Sequence, residues 1–410
     1  MPAPNVITRT QRPCPICDSH DGVLLYEQRL MLPDDQHGAG LQRVVVCNDC
    51  GGAFTDTSIP QRDYDALYEN RSRYAAGPAA PVDAERDVAR FRDIAALLDE
   101  MVPGRSARIV DIGCAGGEML AALADRGYVD LTGIDPSPAC VERSRGIPGV
   151  RANRGSLANL PAPAEPWDLV ILSHVLEHVR DLKGALAALF PFVAPGGVLY
   201  VEVPDASRYV DFAWSPFQDF NSEHINHFSL QSLENLLAAS GFRTVRRATK
   251  EILSAPGMPY PALYCLARRE GTRLSIRRDD ELRLRLESYI DRSSAILDDI
   301  DRCLSEHIGS DDPVIVWGTG ELTAKLLTQT FLGHARIVAF VDSNPVNQGR
   351  ILRGLPVIAP EALPRDGTAL IVASSILHYD SIARAARSLG LHNPVLRLPD
   401  PRAREETSFR

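Results

Sequence analysis

Short apolar runs alternate with stretches of helical spacing through the middle of the chain. ARIVDIG, LTGIDPS, WDLVILS and GGVLYVEVP read as strands, and MLAALADRG and LKGALAALFPFV between them read as helices. That alternation predicts a parallel sheet with crossover helices, a doubly wound α/β domain with its ligand site at the carboxyl ends of the strands. AERDVARFRDIAALLDEM places Val88, Phe91, Ile94 and Leu98 on one helical face ahead of it. The strand–helix rhythm starts again at Pro313: VIVWGTGELTAKLL, ARIVAFVDSNP, GLPVIAPEALP, ALIVASSI and NPVLRL predict a second, Rossmann-like α/β domain. Between the two, Leu282, Leu286, Ile290, Leu297, Ile300 and Leu304 mark a long amphipathic helix, expected to break near Ser293. The first 62 residues lack this rhythm, so three units are expected: 1–62, 63–270 and 271–410.

Composition narrows the function. The 410 residues are 45% hydrophobic, enough for ordinary cores, and the net charge of −9 offers no basic face for nucleic acid. No apolar run approaches the ~20 residues that span a bilayer, and the N-terminus reads as polar without a signal peptide. A cytoplasmic protein acting on a small molecule, without nucleic-acid or membrane partners, is the expectation. Its eight cysteines then read as thiols or metal ligands. Four fall in two C-x-x-C pairs, Cys14/Cys17 and Cys47/Cys50, the spacing at which two thiolates of one knuckle meet a tetrahedral zinc. Such a four-thiolate zinc is closed and structural; the alternative is a lost metal or reactive thiols. His20 and His37 could replace one thiolate. Cys114, Cys140, Cys265 and Cys303 read as core.

VDIGCAGGEML carries the most chemistry. A strand ends in Asp111, then Gly113, Gly116 and Gly117 open a helix at Glu118, bringing backbone N–H groups to a ligand. Asp111 would repel a pyrophosphate and suits a cation. The next strand ends at Asp135, placed to accept from ribose hydroxyls. Together with LSHVLEHVRD, these segments resemble class I S-adenosylmethionine (SAM) methyltransferases. The C-terminal turn, Gly318-x-Gly320-x-x-Thr323, lacks the third glycine of a dinucleotide fingerprint, and Asp342 ends its next strand. It reads as a nucleotide site or as plain turn geometry.

SEHINHFS brings Glu223, His224 and His227 between a strand end and a helix capped at Ser229. A Glu–His pair there suits acid–base work; the alternative is that these residues anchor the loop. His174 follows the fourth strand and would face the acceptor, whereas Glu177 and His178 read as structural. Tyr64, Tyr68 and Tyr74 lie in a segment that could fold over the site, and Tyr74 is the candidate hydroxyl.

Over nearly the whole chain the order of modules resembles the SAM-dependent C-methyltransferases of nucleotide-linked deoxysugars, such as TDP-4-keto-6-deoxyhexoses. The resemblance implies structural zinc, SAM in the middle domain and a sugar nucleotide between the middle and C-terminal domains. It makes His224, Glu223, His174 and Tyr74 catalytic; Asn221 and His227 of the same loop, and Gly318, Gly320 and Asp342 of the C-terminal turn, are expected on the substrate. Asn221 and Ser222 stand where that family has Tyr and Asp, and His227 is an added polar group. Expected chemistry is methylation of a carbon beside a ketone. Alternatives are O- or N-methylation of a sugar or other small metabolite, or a non-catalytic SAM-binding scaffold.

Overall fold

A computed structural model describes residues 6–32, 40–64, 84–102, 104–255, 257–272 and 275–403. Its strands form three sheets among these residues. The first is antiparallel: β1 (Val6–Arg9), β2 (Asp21–Arg29), β3 (Leu41–Cys47) and β4 (Ala53–Thr55) lie side by side in chain order. The two cysteine knuckles flank it, each closed by a turn: Asp18 N–H donates to Cys14 O, and Gly51 N–H to Cys47 O.

The second sheet holds β5 (Arg108–Ile112), β6 (Asp130–Asp135), β7 (Val150–Arg154), β8 (Trp167–Ser173) and β9 (Val193–Pro204), all parallel. Successive side chains of a strand point to opposite faces. Accordingly Val110, Ile112, Val170 and Leu172 pack on one face, and Ile109, Leu169 and Ile171 on the other. The helix Ala84–Met101 covers that second face through Ile94 and Leu98. The chain next gives a two-residue strand, β10 (Asn226–His227), which pairs with β4. The first sheet therefore takes its last strand from the SEHINHFS loop of the middle unit. β11 (Phe242–Ala255) and β12 (Met258–Arg269) complete the second sheet as an antiparallel hairpin on β9. Its order is β11-β12-β9-β8-β5-β6-β7, so the direction of winding reverses between β5 and β8. A ligand crevice opens at such a reversal.

β13 (Pro313–Trp317), β14 (Arg336–Val341), β15 (Ile351–Leu352), β16 (Leu355–Ile358), β17 (Leu370–Ala373) and β18 (Val395–Arg397) form the third sheet, parallel except for the β15–β16 hairpin. The long helix Leu282–His307 runs without interruption, contrary to the expected break. Ser293 is fully buried within its packing stripe, and no Gly or Pro interrupts the ladder there. One core joins this helix (Leu282, Leu286, Tyr289, Ile300, Leu304) to the first sheet (Val23, Tyr26, Val44) and the third (Val314, Val316, Phe340, Val372). Among the described residues no helix is long and apolar enough to cross a membrane.

Candidate functional site

The turn after β5 needs its glycines. Gly113 and Gly117 have φ of 79° and 86°, the left-handed region open to glycine without strain. Gly113 N–H donates to Ile134 O at 2.7 Å, binding the turn to β6. Asp135 ends β6, almost fully buried; its Oδ2 accepts from Ala115 N–H and its Oδ1 from Ser137 N–H, both at 2.9 Å. A carboxylate has about four acceptor positions, so capacity remains for a ligand. Asp111, buried beneath the turn, has its carboxyl pushed up to about 8 by burial, with Asp135 and Glu118 adding repulsion.

His174 follows β8 with φ of 56°, a strained conformation for a non-glycine residue, of the kind found at functional sites. Its Nδ1 lies 3.0 Å from Glu177 Oε1 and its Nε2 3.3 Å from Glu202 Oε1. Burial works against the charged ring, but the two carboxylates outweigh it and raise the pKa. Glu202, near the end of β9, is fully buried. It pairs with Arg90 and Lys250 and accepts from Tyr200 Oη at 2.5 Å. Burial opposes its ionisation, yet Arg90, His174 and Lys250 hold it well below the usual range. Sequence reading passed over this cluster. Its one local signal was a lone acid inside the apolar run VLYVEVP, and the partners come from a helix and an edge strand far along the chain.

The SEHINHFS loop is held from several sides. Asn221 Oδ1 accepts from Glu223 N–H at 2.9 Å and His224 N–H at 2.8 Å, and its Nδ2 donates to Gln218 O. Asn221 thus shapes the loop where a substrate contact was expected. Ser229 caps the helix Leu230–Ala239 in reciprocal bonds with Ser232, as its position implied. His178 Nδ1 lies 3.0 Å from Glu223 O, and its ring meets His224 edge-on at 5.0 Å between centroids. Burial, with His178 beside it, pushes His224 down to about 3, so the ring is neutral near pH 7. His227 departs from the expected substrate role: it sits on β10, almost fully buried, against the rings of Phe220 and Tyr209. The residue that binds the loop to the first sheet is Arg12, which sequence reading missed. Its buried guanidinium donates to Ile225 O at 2.9 Å and Asn226 Oδ1 at 2.8 Å, and Asn226 Nδ2 donates in turn to Leu176 O and Val179 O.

Two cavities meet at Gly113, His174, His178 and Glu223. One is lined by Tyr64, Asp135, Pro136 and Leu157. The other is a larger cleft lined by Arg90, Asp111, Trp214, Asp219, His224 and Tyr260, with Leu377 of the C-terminal unit also on its wall. His227 lines neither of these two. Tyr64 donates to Thr57 Oγ1 at 3.1 Å; Tyr68, Tyr74 and His37 lie outside the described residues.

Gly318, Gly320 and Asp342 also line neither cavity. Asp342 accepts from Thr319 N–H, Thr319 Oγ1, Asn344 N–H and Asn347 Nδ2 at 2.6–3.0 Å, which occupies its carboxylate within its own loop. Thr323, where a third glycine would stand, donates to Gly318 O at 2.6 Å and lies 2.7 Å from Ser374 Oγ. The C-terminal unit reaches the middle one through Glu321, which accepts from Ser222 N–H and Ser222 Oγ.

At the N-terminus, Cys14 and Cys50 Sγ are 3.5 Å apart and Cys17 and Cys47 Sγ 3.4 Å, all four within 4.8 Å of one another. Zinc bonds of about 2.3 Å in a tetrahedron space sulfurs about 3.8 Å apart. The four thiols fit that ion.

Residues 86–247 match the family described as "Methyltransferase domain". Trans-aconitate 2-methyltransferase of Streptomyces coelicolor is 34% identical over 121 residues, 28% of this chain and 40% of that protein. A probable S-adenosylmethionine-dependent methyltransferase of Mycolicibacterium smegmatis is 31% identical over 139 residues, 32% of this chain and 53% of that protein. The chain thus spans about half the length of these curated relatives or less. Among solved structures, the Burkholderia thailandensis 1,6-didemethyltoxoflavin-N1-methyltransferase, with 1,6-didemethyltoxoflavin and S-adenosylhomocysteine bound, is 21% identical, covering 54% of this chain and 97% of its own, with a TM-score of 0.40. Residues 86–247 carry a methyltransferase domain.

Proposed function

We propose that the chain methylates a nucleotide-linked sugar, at a carbon beside a ketone. The observation that carries this reading is the position of the large cleft. It opens beside the glycine turn of the methyltransferase sheet, and the Rossmann-like C-terminal unit contributes Leu377 to its wall. SAM, when bound, supplies a methyl group on a sulfonium. Gly113, Gly116 and Gly117, with Asp111 and Asp135, would hold it. Cys14, Cys17, Cys47 and Cys50 would hold zinc, which in a closed four-thiolate site is structural.

Carbon methylation needs a base for the proton beside the ketone and hydrogen bonds for the enolate oxygen. His224, neutral and with a depressed pKa, has little pull on a proton and serves as the hydrogen-bonding group on that oxygen. A neutral histidine of lowered pKa polarises a carbonyl in this way in triosephosphate isomerase. Glu223 lines both cavities and is the carboxylate assigned to the proton. His174, braced between Glu177 and Glu202, fixes the wall of the site. Gly318 and Gly320 are assigned to the nucleotide end of the acceptor, and Asp342, whose carboxylate is occupied by Thr319, Asn344 and Asn347, holds that turn.

The likeness to trans-aconitate 2-methyltransferases favours a second reading, methylation of a small metabolite such as trans-aconitate. The two are separated by thermal-shift measurements with S-adenosylhomocysteine present, since a ligand that binds only the native state raises its melting temperature. Nucleotide sugars should raise it and trans-aconitate should not; the reverse overturns the first reading. For a keto-sugar that binds, solvent deuterium exchange beside the ketone that is lost in Glu223→Gln supports the carbon route.

A further inference from the structure

The wall of the large cleft between Trp214 and Tyr260 is a rigid structure built around one incompletely bonded carboxylate. Gln218 holds the segment: its Oε1 accepts from Trp214 N–H and Ser215 N–H at 3.1 Å, and its Nε2 donates to Phe212 O at 2.9 Å. Trp214 Nε1 donates to Pro259 O at 3.1 Å, fixing the indole. Asp219 N–H donates to Tyr289 Oη at 2.9 Å, and Tyr260 Oη donates to Asp219 Oδ1 at 2.7 Å. Asp219 is 2% exposed. Its Oδ2 is buried and makes no well-formed hydrogen bond among the described residues; burial pushes the carboxyl up to about 6 although Tyr260, Tyr289 and Gln218 favour its charged form, and the residue lines the cleft. A buried acceptor left without a donor is costly, and a ligand that supplies one removes that cost.

The surroundings say which donor fits. Lys325, buried in the helix Glu321–Gln329, already acts electrostatically on Asp219, which reduces the attraction for a second cation. Ile252, Met258 and Leu377 supply apolar lining in the same cleft, beside the fixed indole of Trp214. A neutral ring with a hydroxyl edge and a C–H face matches this arrangement; an extended charged ligand does not. We propose that Trp214 and Asp219 form the acceptor-recognition subsite, Asp219 Oδ2 accepting a hydroxyl of a ring that lies against the indole. The assignment rests on reading the cleft as the acceptor's side of the methyltransferase site, and it makes Asp219 a specificity-determining residue for a hydroxylated ring.

Calorimetry on the full chain loaded with S-adenosylhomocysteine tests it, with TDP-glucose and TDP as probes. Wild-type protein should bind TDP-glucose more tightly than TDP. Asp219→Asn, equal in shape, should weaken TDP-glucose by about 10-fold or more, the loss expected for one hydrogen bond to a charged group. Its affinity for TDP and for S-adenosylhomocysteine should stay unchanged. Unchanged TDP-glucose affinity, or an equal loss for all three ligands, overturns the subsite. Wild-type protein that binds neither nucleotide counts against the nucleotide reading alone. The subsite is then decided with methyl glucoside at millimolar concentration, read by tryptophan fluorescence. An Asp219-dependent response supports it, and none overturns it.

Discussion

Asp111 is a carboxylate that the free fold holds unfavourably beneath the glycine turn, and its titration makes ligand binding visible. Its folded value of about 8 lies far above the ~3.9 of an unfolded aspartate. Between those values the native state binds more protons than the unfolded one, so this group's contribution to stability falls as pH rises from about 4 to 8 and is level above. A cationic ligand beside it reverses the shift. SAM binding at pH 7 should therefore release protons and tighten from pH 6.5 to 8.5, and Asp111→Asn should flatten that dependence. Titration heats that are equal in two buffers of different ionisation enthalpy would contradict this. The residue was legible because an acid, three glycines and a second acid fall in a short stretch of chain. The Glu202 cluster was not, because only folding brings Arg90, Lys250 and His174 to it. Glu202→Gln leaves half-buried Arg90 and Lys250 without their carboxylate, and a loss of about 1–3 kcal/mol is expected in denaturant unfolding; a loss under 0.5 kcal/mol, on the order of an exposed pair, would mean that water already reaches the cluster.

At the scale of elements, the first sheet and the SEHINHFS loop are one structure. β4 pairs with β10, and Arg12 reaches across to Ile225 and Asn226. Arg12→Ala should destabilise by about 2–4 kcal/mol, since it leaves buried acceptors without donors, while leaving the four cysteines and any zinc they hold in place. Cys47→Ser should lose both zinc and the loop, reducing methyl transfer along with stability. Elemental analysis beside melting curves separates the two; zinc retained in folded Cys47→Ser would contradict the four-thiolate site. A two-residue strand such as β10 lies below what periodicity can reveal. The β11–β12 hairpin escaped for another reason. Its first strand carries Arg243, Arg246, Arg247 and Lys250, charges suited to a sheet edge that blur the apolar alternation. Ser293 misled in the opposite sense, as a small polar residue on a packed face that needs no break.

For the whole molecule, the division at residues 62 and 270 describes the order of motifs better than the order of packing. The first and third sheets share one core along the helix Leu282–His307. A chain ending near residue 305 loses Val314, Val316, Phe340 and Val372 from that core, and it should fail to fold cooperatively or melt well below the full chain. A truncated protein with an unchanged melting temperature would refute the shared core. Both α/β sheets were readable from alternation alone. The role of the C-terminal turn was not, because Thr323 and Asp342 bond within their own unit in ways that spacing does not encode.

We propose a single SAM site, built on the turn from Gly113 to Gly117 with Asp135. Calorimetric titration of S-adenosylhomocysteine into the wild-type chain and Asp135→Ala tests it most directly. One ligand should bind per chain, with affinity falling about 30- to 1,000-fold in the variant, the equivalent of two charge-assisted hydrogen bonds. Unchanged affinity in Asp135→Ala, or a second equivalent bound that is lost on changing Gly318, would contradict it.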